Sequence, residues 1–326
     1  MKRKLYIHAG PPKTGTSAFQ YVLRDHDGSV VHYPKAGQWG DGSHHNLVLN
    51  FFGELATAQA VREDDGALFD RVAAGVRNSQ GPVVISSEML SARGDPGDFI
   101  QALLLHLGGD FDVEILFIIR DHFERAASLY GQRVQSQFTR ETRGPDEYLT
   151  QQASVLCYAP MLLRLLETGF SMRLIDYNPS DDLVPRLLRH IGFPDESIAA
   201  PPTRNPSRAI KLLLITLVAN RITSSPPDRQ KIVRTLGKLR QSFAPARFIF
   251  GHDAATAAER KFGHDRAFLR KRFKFEVPAP DLTTVTNAFF IDEDEIAEIS
   301  ERVATLGGVG EQLCADLRAF VRLPAP

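Results

Sequence analysis

Leu5-Tyr6-Ile7-His8-Ala9-Gly10-Pro11-Pro12-Lys13-Thr14-Gly15-Thr16-Ser17 joins a short apolar run to a turn of glycine, proline, lysine and hydroxyl residues. Leu5–Ala9 reads as a strand. Beyond the turn, Phe19, Val22 and Leu23 fall on one face of a helix running from near Gly15 to about Asp25. A turn of this kind aims backbone N–H groups at one point, and the helix N-terminus adds partial positive charge there. Lys13 supplies a full charge; Thr14, Thr16 and Ser17 supply short donors. The set suits a phosphate or a sulfated phosphate. The plain alternative is a strand–turn–helix whose polar residues are merely solvated. The turn differs from the nucleotide-triphosphate loop GxxxxGK[ST]. Gly10 and Gly15 keep that spacing, but Thr16 stands where the lysine belongs and the lysine sits at 13.

The same alternation continues outward. Val30–Tyr33, Val83–Ile85, Val113–Ile119 and Ser171–Asp176 read as further strands. Val113–Ile119 is almost continuously apolar, as a strand covered on both faces must be. Helical patterns lie between them at His45–Leu55, Leu68–Arg77, Phe99–Leu107, from Asp121 through Gln137, and at Tyr158–Glu167, with Leu183–His190 after the last strand. This order predicts an α/β fold with a mainly parallel central sheet flanked by helices. From Ser207 on, strand signals give way to helices at Ile210–Ile222, Asp228–Leu239, Thr256–Phe262, Arg266–Phe273, Glu293–Leu306 and Glu311–Phe320. No flexible linker separates the halves, so residues 201–326 are expected as a helical extension packed on a core of residues 1–200, one domain in all.

Composition narrows the class. The 326 residues hold 39 basic and 39 acidic side chains and are 43% hydrophobic, which excludes disorder and a surface coated in one sign of charge for nucleic acid. A local basic pocket remains open. Cys157 and Cys314 are too few for a disulfide framework, and no HxxxH or CxxC spacing suggests a metal. No apolar run reaches the roughly 18 residues of a membrane span. Met1-Lys2-Arg3-Lys4 is basic, but Leu5–Ala9 is short for a signal sequence, so a cytosolic (cytoplasmic) location is expected.

Two segments together resemble the sulfotransferases that use 3′-phosphoadenosine 5′-phosphosulfate. Pro12-Lys13-Thr14-Gly15-Thr16-Ser17 is similar to their 5′-phosphosulfate loop. Ile118-Ile119-Arg120-Asp121, with Ser128 eight residues after the arginine, is similar to their 3′-phosphate segment. Met172–Tyr177 resembles the strand that ends at a tyrosine beside the adenine. The likeness covers about residues 3–195 and is nearer the bacterial and carbohydrate-type branch. It implies a P-loop-like three-layer fold. It also implies a donor site from Lys13, Thr14, Gly15, Thr16, Ser17, Arg120, Ser128 and Tyr177, the product 3′,5′-bisphosphoadenosine, and no metal. Two departures stand out. Ala18 replaces the aromatic that commonly follows the loop, and the family's Arg-Lys-Gly segment is absent, its place assigned by position and charge to Arg204–Arg208 with Ser207 and Arg208 as ligands.

Sulfuryl transfer needs charge control and a base for the acceptor hydroxyl. Lys13 is assigned the leaving phosphate. Glu88 follows Val83–Ile85, so a parallel sheet brings it to the edge that carries Lys13 and Arg120, where it is the first choice of base. A helix-capping or pairing role is its alternative. His44 and His45, after the Gly-rich loop, rival it, with His45 taken as the catalytic candidate; His8 reads as a packed strand histidine. Arg120 and Ser128 have structural alternatives as an ion-pair partner and a packing serine. The basic run Arg260–Lys274 is either an exposed helix face or a hold for an anionic acceptor. The expected acceptor is a hydroxyl of a carbohydrate, glycolipid or other glycoconjugate, without nucleic acid. A magnesium-dependent kinase with a degenerate loop, and a non-catalytic nucleotide-binding protein, are the other readings.

Overall fold

The computed structural model describes residues 2–26, 28, 30–54, 61–77, 79–108, 110–136, 138–178, 183–193, 210–223, 226–237, 249–280, 282 and 293–321. The chain divides into two compact units. The first holds Met1–Asp121, Tyr158–Arg204 and Phe268–Val277; the second holds His122–Cys157, Asn205–Ala267 and Pro278–Pro326. The division does not follow chain order, because a middle segment belongs with the C-terminal helices.

The first unit is built on strands β1 (Arg3–His8), β2 (Val83–Ser86), β3 (Phe111–Ile119) and β4 (Ser171–Asp176). They form one all-parallel sheet in the order β2-β1-β3-β4. Alternate side chains leave opposite faces of each strand. Leu5, Ile7, Val83, Ile85, Val113, Ile115, Phe117 and Ile119 pack against α2 (His45–Phe51), α3 (Asp65–Val76), α4 (Pro96–Leu107) and α7 (Ala159–Glu167). Tyr6, Val84, Leu116 and Ile118 pack on the other face against α1 (Thr16–Asp25) and α8 (Leu183–His190). The nearly continuous apolar run in β3 is thus what a centre strand requires, since both its faces are buried. Local signals fix the helix starts. Asp64 caps α3 by accepting from the Ala67 N–H at 2.8 Å, and Asp95 caps α4 with Pro96 in the first turn.

The second unit is helical among its described residues: α5 (His122–Gln135), α6 (Pro145–Leu156), α9 (Ile210–Ile222), α10 (Pro226–Gly237), α11 (His252–Phe273), α12 (Glu293–Val303) and α13 (Gly308–Val321). The last residues of α11, from Phe268, count with the first unit. Two apolar clusters hold the second unit, one around Phe123, Tyr130, Tyr148 and Phe262, the other around Ile215, Ile296, Ile299 and Leu317.

Three expectations change. Val30–Tyr33 is not a strand, because only His32 bridges, to Val83 at the outer side of β2. Its N–H donates to the Pro82 carbonyl at 2.8 Å, its carbonyl accepts from Val84 at 3.0 Å, and Pro34 has no N–H with which to continue the ladder. Thr256–Phe262 and Arg266–Phe273 form the single helix α11, since Phe262, Arg266 and Leu269 continue one buried face past Gly263. Helix α6 was not expected. Its signals are Gly144-Pro145 followed by two acidic residues and buried Tyr148, Leu149, Ala153 and Leu156. Among the described residues no helix is long and apolar enough to cross a membrane.

Candidate active site

Parallel strands bring their C-terminal ends to one edge. In the order β2-β1-β3-β4 the connection leaving β1 runs to one side and that leaving β3 to the other, which opens a crevice between their ends. Open α/β sheets bind ligands at such a switch point. The turn after β1 and Arg120 after β3 flank it.

The turn is held in an unusual shape. Lys13 and Gly15 both have positive φ, 72° and 81°. A non-glycine residue in that region is uncommon and strained. Successive N–H groups in such a turn form a concave anion-binding nest. The Thr14 hydroxyl donates to the Pro11 carbonyl at 2.9 Å and is fully buried, so it closes the turn from within. Ser17 is exposed at the start of α1, whereas Thr16 is buried.

Arg120 braces this turn from across the crevice. Its Nη1 donates to the Lys13 carbonyl at 2.9 Å, and its guanidinium lies 4.6 Å from the centre of the Tyr177 ring. Tyr158 fixes the arginine backbone, donating to its carbonyl at 2.6 Å and accepting from its N–H at 3.2 Å. Tyr177 in turn abuts the turn. A Cβ on Gly15 would stand 2.7 Å from that ring. Gly15→Ala is therefore expected to destabilise the chain by about 1–2 kcal/mol through the left-handed backbone alone, with the Tyr177 contact added. Thermal unfolding of G15A and of the G15A/Y177A double variant separates the two parts, since trimming the ring relieves only the contact. A G15A melting temperature equal to the parent's would contradict the geometry.

Burial pushes the Lys13 ammonium below the ordinary lysine range; the Glu88 charge opposes that shift and the Arg120 charge reinforces it. Two cations are thus held together in a partly desolvated corner with one carboxylate close by.

Glu88 enters from β2. The strand ends at Ser86, and Glu88 opens a short 3₁₀ turn, Glu88–Ser91, leaving its side chain 14% exposed. Thr16 donates its hydroxyl to one carboxylate oxygen, and His45 Nε2 lies 3.2 Å from the other. His45 Nδ1 is 2.9 Å from Ser87 Oγ. One tautomer serves both bonds, Nε2–H donating to Glu88 and Nδ1 accepting from Ser87. Burial raises the Glu88 pKa, but the hydrogen bond and charge of His45, the Thr16 hydroxyl and the charge of His8 outweigh it. The carboxyl is held below its ordinary range.

The neighbouring histidines His8 and His44 are fully buried. Burial lowers both His8 and His44 to about 4. His44 ties the Gly-rich loop to β2, its Nε2 meeting the Pro34 carbonyl at 2.7 Å and its Nδ1 accepting from the Ser86 N–H at 3.1 Å. His8 Nδ1 meets Ser86 Oγ at 2.8 Å.

The structure therefore gathers Lys13, Thr14, Gly15, Thr16, Glu88, His45, Arg120 and Tyr177 in the first unit. Ser128 lies half-buried on α5 in the second unit. Ser207 and Arg208, with the rest of Arg204–Arg208, fall outside the described residues. In the basic run, Arg266 is buried and paired with Glu259, and Arg270 with Glu276; Arg260, Lys271, Arg272 and Lys274 are exposed. Among the described residues no group of three His, Cys, Asp or Glu side chains could hold a metal ion. Sequence reading missed three supports: Ser87 behind His45, Tyr158 behind Arg120, and Trp39, whose ring meets His45 edge-to-face at 4.8 Å. Ser87 and Trp39 had a signal in their position beside Glu88 and in the Gly-rich loop, whereas Tyr158 lies 38 residues from Arg120 and had none.

No protein-family model and no curated protein matches the chain.

Proposed function

We propose that the chain is a sulfotransferase of the P-loop-like, three-layer type. In this reading it uses 3′-phosphoadenosine 5′-phosphosulfate to sulfate a hydroxyl of a carbohydrate or glycoconjugate. One observation carries the reading. Lys13 and Arg120, brought from distant parts of the chain, meet at the β1/β3 crevice with Glu88 beside them. A partly desolvated lysine next to an arginine, at a turn with left-handed backbone at Lys13 and Gly15, favours an anionic ligand. That is the fit expected for a phosphate-bearing donor, and the Tyr177 ring against Arg120 and Gly15 offers a flat apolar neighbour for a base.

When bound, the donor supplies a sulfuryl group on a phosphate that can leave. The chain supplies the rest. Lys13 and the N–H groups of the turn hold the phosphate and stabilise negative charge as it grows there. Arg120, planar and always charged, suits a second phosphate while it braces the turn. Glu88 accepts the proton of the acceptor hydroxyl, kept ionised by its neighbours and aimed by Thr16 and His45. Positioning and electrostatics do most of the work, as in phosphoryl transfer.

Calorimetry tests the donor class. The chain is expected to bind 3′,5′-bisphosphoadenosine tightly without added metal and to ignore ATP with Mg²⁺. The reverse pattern would make it a magnesium-dependent nucleotide enzyme and overturn the proposal.

A further inference from the structure

We propose that Trp39 is the residue that recognises the acceptor, its indole forming a wall against which a pyranose ring lies next to Glu88. This rests on the sulfotransferase reading above and adds a specific side chain and ligand surface to it.

The wall is built before any ligand arrives. The Trp39 N–H donates to the Ser43 carbonyl at 2.8 Å, and its carbonyl accepts from Gly42 at 2.9 Å, closing the loop on itself. Tyr33 Oη donates to the Gly42 carbonyl at 2.6 Å and Arg24 Nη1 to the Gly40 carbonyl at 2.7 Å. Ser43 holds the Asp41 carboxylate through both its N–H, at 3.0 Å, and its hydroxyl, at 2.6 Å. Gly42 has φ +88°, and a Cβ there would sit 2.9 Å from the Gln20 carbonyl, so the loop seats flush on α1 only with glycine. A surface held this firmly loses little freedom when it binds.

The loop places the ring beside the base. The Trp39 and His45 rings stand at 85° with centres 4.8 Å apart, and His45 Nε2 is 3.2 Å from Glu88. Trp39 is only half-buried. A pyranose fits such a wall. Its C–H face suits the apolar body of an indole, and a hydroxyl on its rim can be offered to Glu88. Aromatic side chains with a polar handle are suited to surfaces that are half apolar and half wet.

Trp39 is the only tryptophan in the chain, so intrinsic fluorescence reports on this one side chain. The full chain, saturated with 3′,5′-bisphosphoadenosine, is titrated with methyl β-galactopyranoside, methyl α-glucopyranoside, lactose, cellobiose and, as a non-sugar, p-cresol. A saturable change in emission is expected with at least one sugar below ~50 mM, where ligands of millimolar affinity saturate. Calorimetry with that sugar is expected to show Trp39→Phe within about threefold of the parent and Trp39→Ala weakened about tenfold or more. Bisphosphate affinity should be the same in all three, which also certifies that the variants fold. Silence with every sugar, a response to p-cresol alone, or sugar binding that Trp39→Ala leaves intact would overturn the proposal. The donor reading fails separately. If bisphosphate gives no heat while sugars still quench, the sulfuryl assignment falls and the sugar wall stands. If bisphosphate binds and the tryptophan stays silent, the wall falls and the donor assignment stands.

Discussion

Lys13→Ala is expected to cut affinity for 3′,5′-bisphosphoadenosine by tens- to thousands-fold, about 2–5 kcal/mol, while the ligand-free chain melts no lower than the parent. The first figure is the usual cost of removing one partner from a buried, hydrogen-bonded charge pair. The second follows from the state of the lysine. Its folded pKa is depressed by burial and by Arg120, against the pull of Glu88. A charged lysine with a lowered folded pKa costs the folded state stability below its unfolded pKa, so removing the ammonium removes that cost. The strained backbone at position 13 stays, since alanine also dislikes φ of 72°. A merely structural lysine would show the opposite pair of results, lower stability with binding intact. The pH dependence adds a further check. An anion needs the charged form, so parent affinity should fall as pH rises through a Lys13 pKa lying below the ordinary 10.5. In K13A that alkaline loss should vanish. Calorimetry across a pH series, with thermal unfolding on the same samples, reads all three. Unchanged bisphosphate affinity in K13A would remove Lys13 from the site.

How far the sequence reached can be judged from the same residues. The pattern of Leu5–Ser17 and the apolar run of Val113–Ile119 were legible because each encodes its own constraint, a turn that only certain residues can make and a strand with no wet face. Their meeting followed from topology. Parallel strands put their ends together, so Lys13, Glu88 and Arg120 were foreseeable as neighbours without any local signal linking them. What stayed hidden depends on partners rather than pattern. Val30–Tyr33 has strand composition, yet it has only Val83 to bridge to and Pro34 behind it. The Thr14 hydroxyl looks like a ligand donor and is spent on Pro11. His44 and His45 are adjacent in sequence and indistinguishable there. The helix turns one towards Ser86 and the Pro34 carbonyl and the other towards Ser87 and Glu88, and only the second can attend to the base.

Glu88→Gln separates binding from chemistry most sharply. The amide keeps the shape and can still accept from Thr16, but it cannot take up a proton. The catalysed rate is expected to fall by about 10²–10⁴-fold, the usual worth of a general base. Bisphosphate affinity should move the other way, staying equal or growing tighter, because a negative charge beside Lys13 has been removed. A glutamate that only braced the turn would weaken binding and rate together. The parent's pH profile follows from the sign of the shift. His45, Thr16 and His8 together outweigh burial and hold the Glu88 carboxyl below its ordinary range. The rate should therefore persist through mildly acid pH and fall only as pH drops through that lowered value. The stability that Glu88 contributes is present above its unfolded pKa and is lost over the same acid window. His45→Ala removes the largest of the three stabilising neighbours. Its acid limb should then shift to higher pH, with bisphosphate affinity retained, which marks His45 as a positioning residue acting through Glu88. An acid limb that stays put in H45A, or a Glu88→Gln variant with parental turnover, would return the proton to some other group and leave Glu88 as a structural brace.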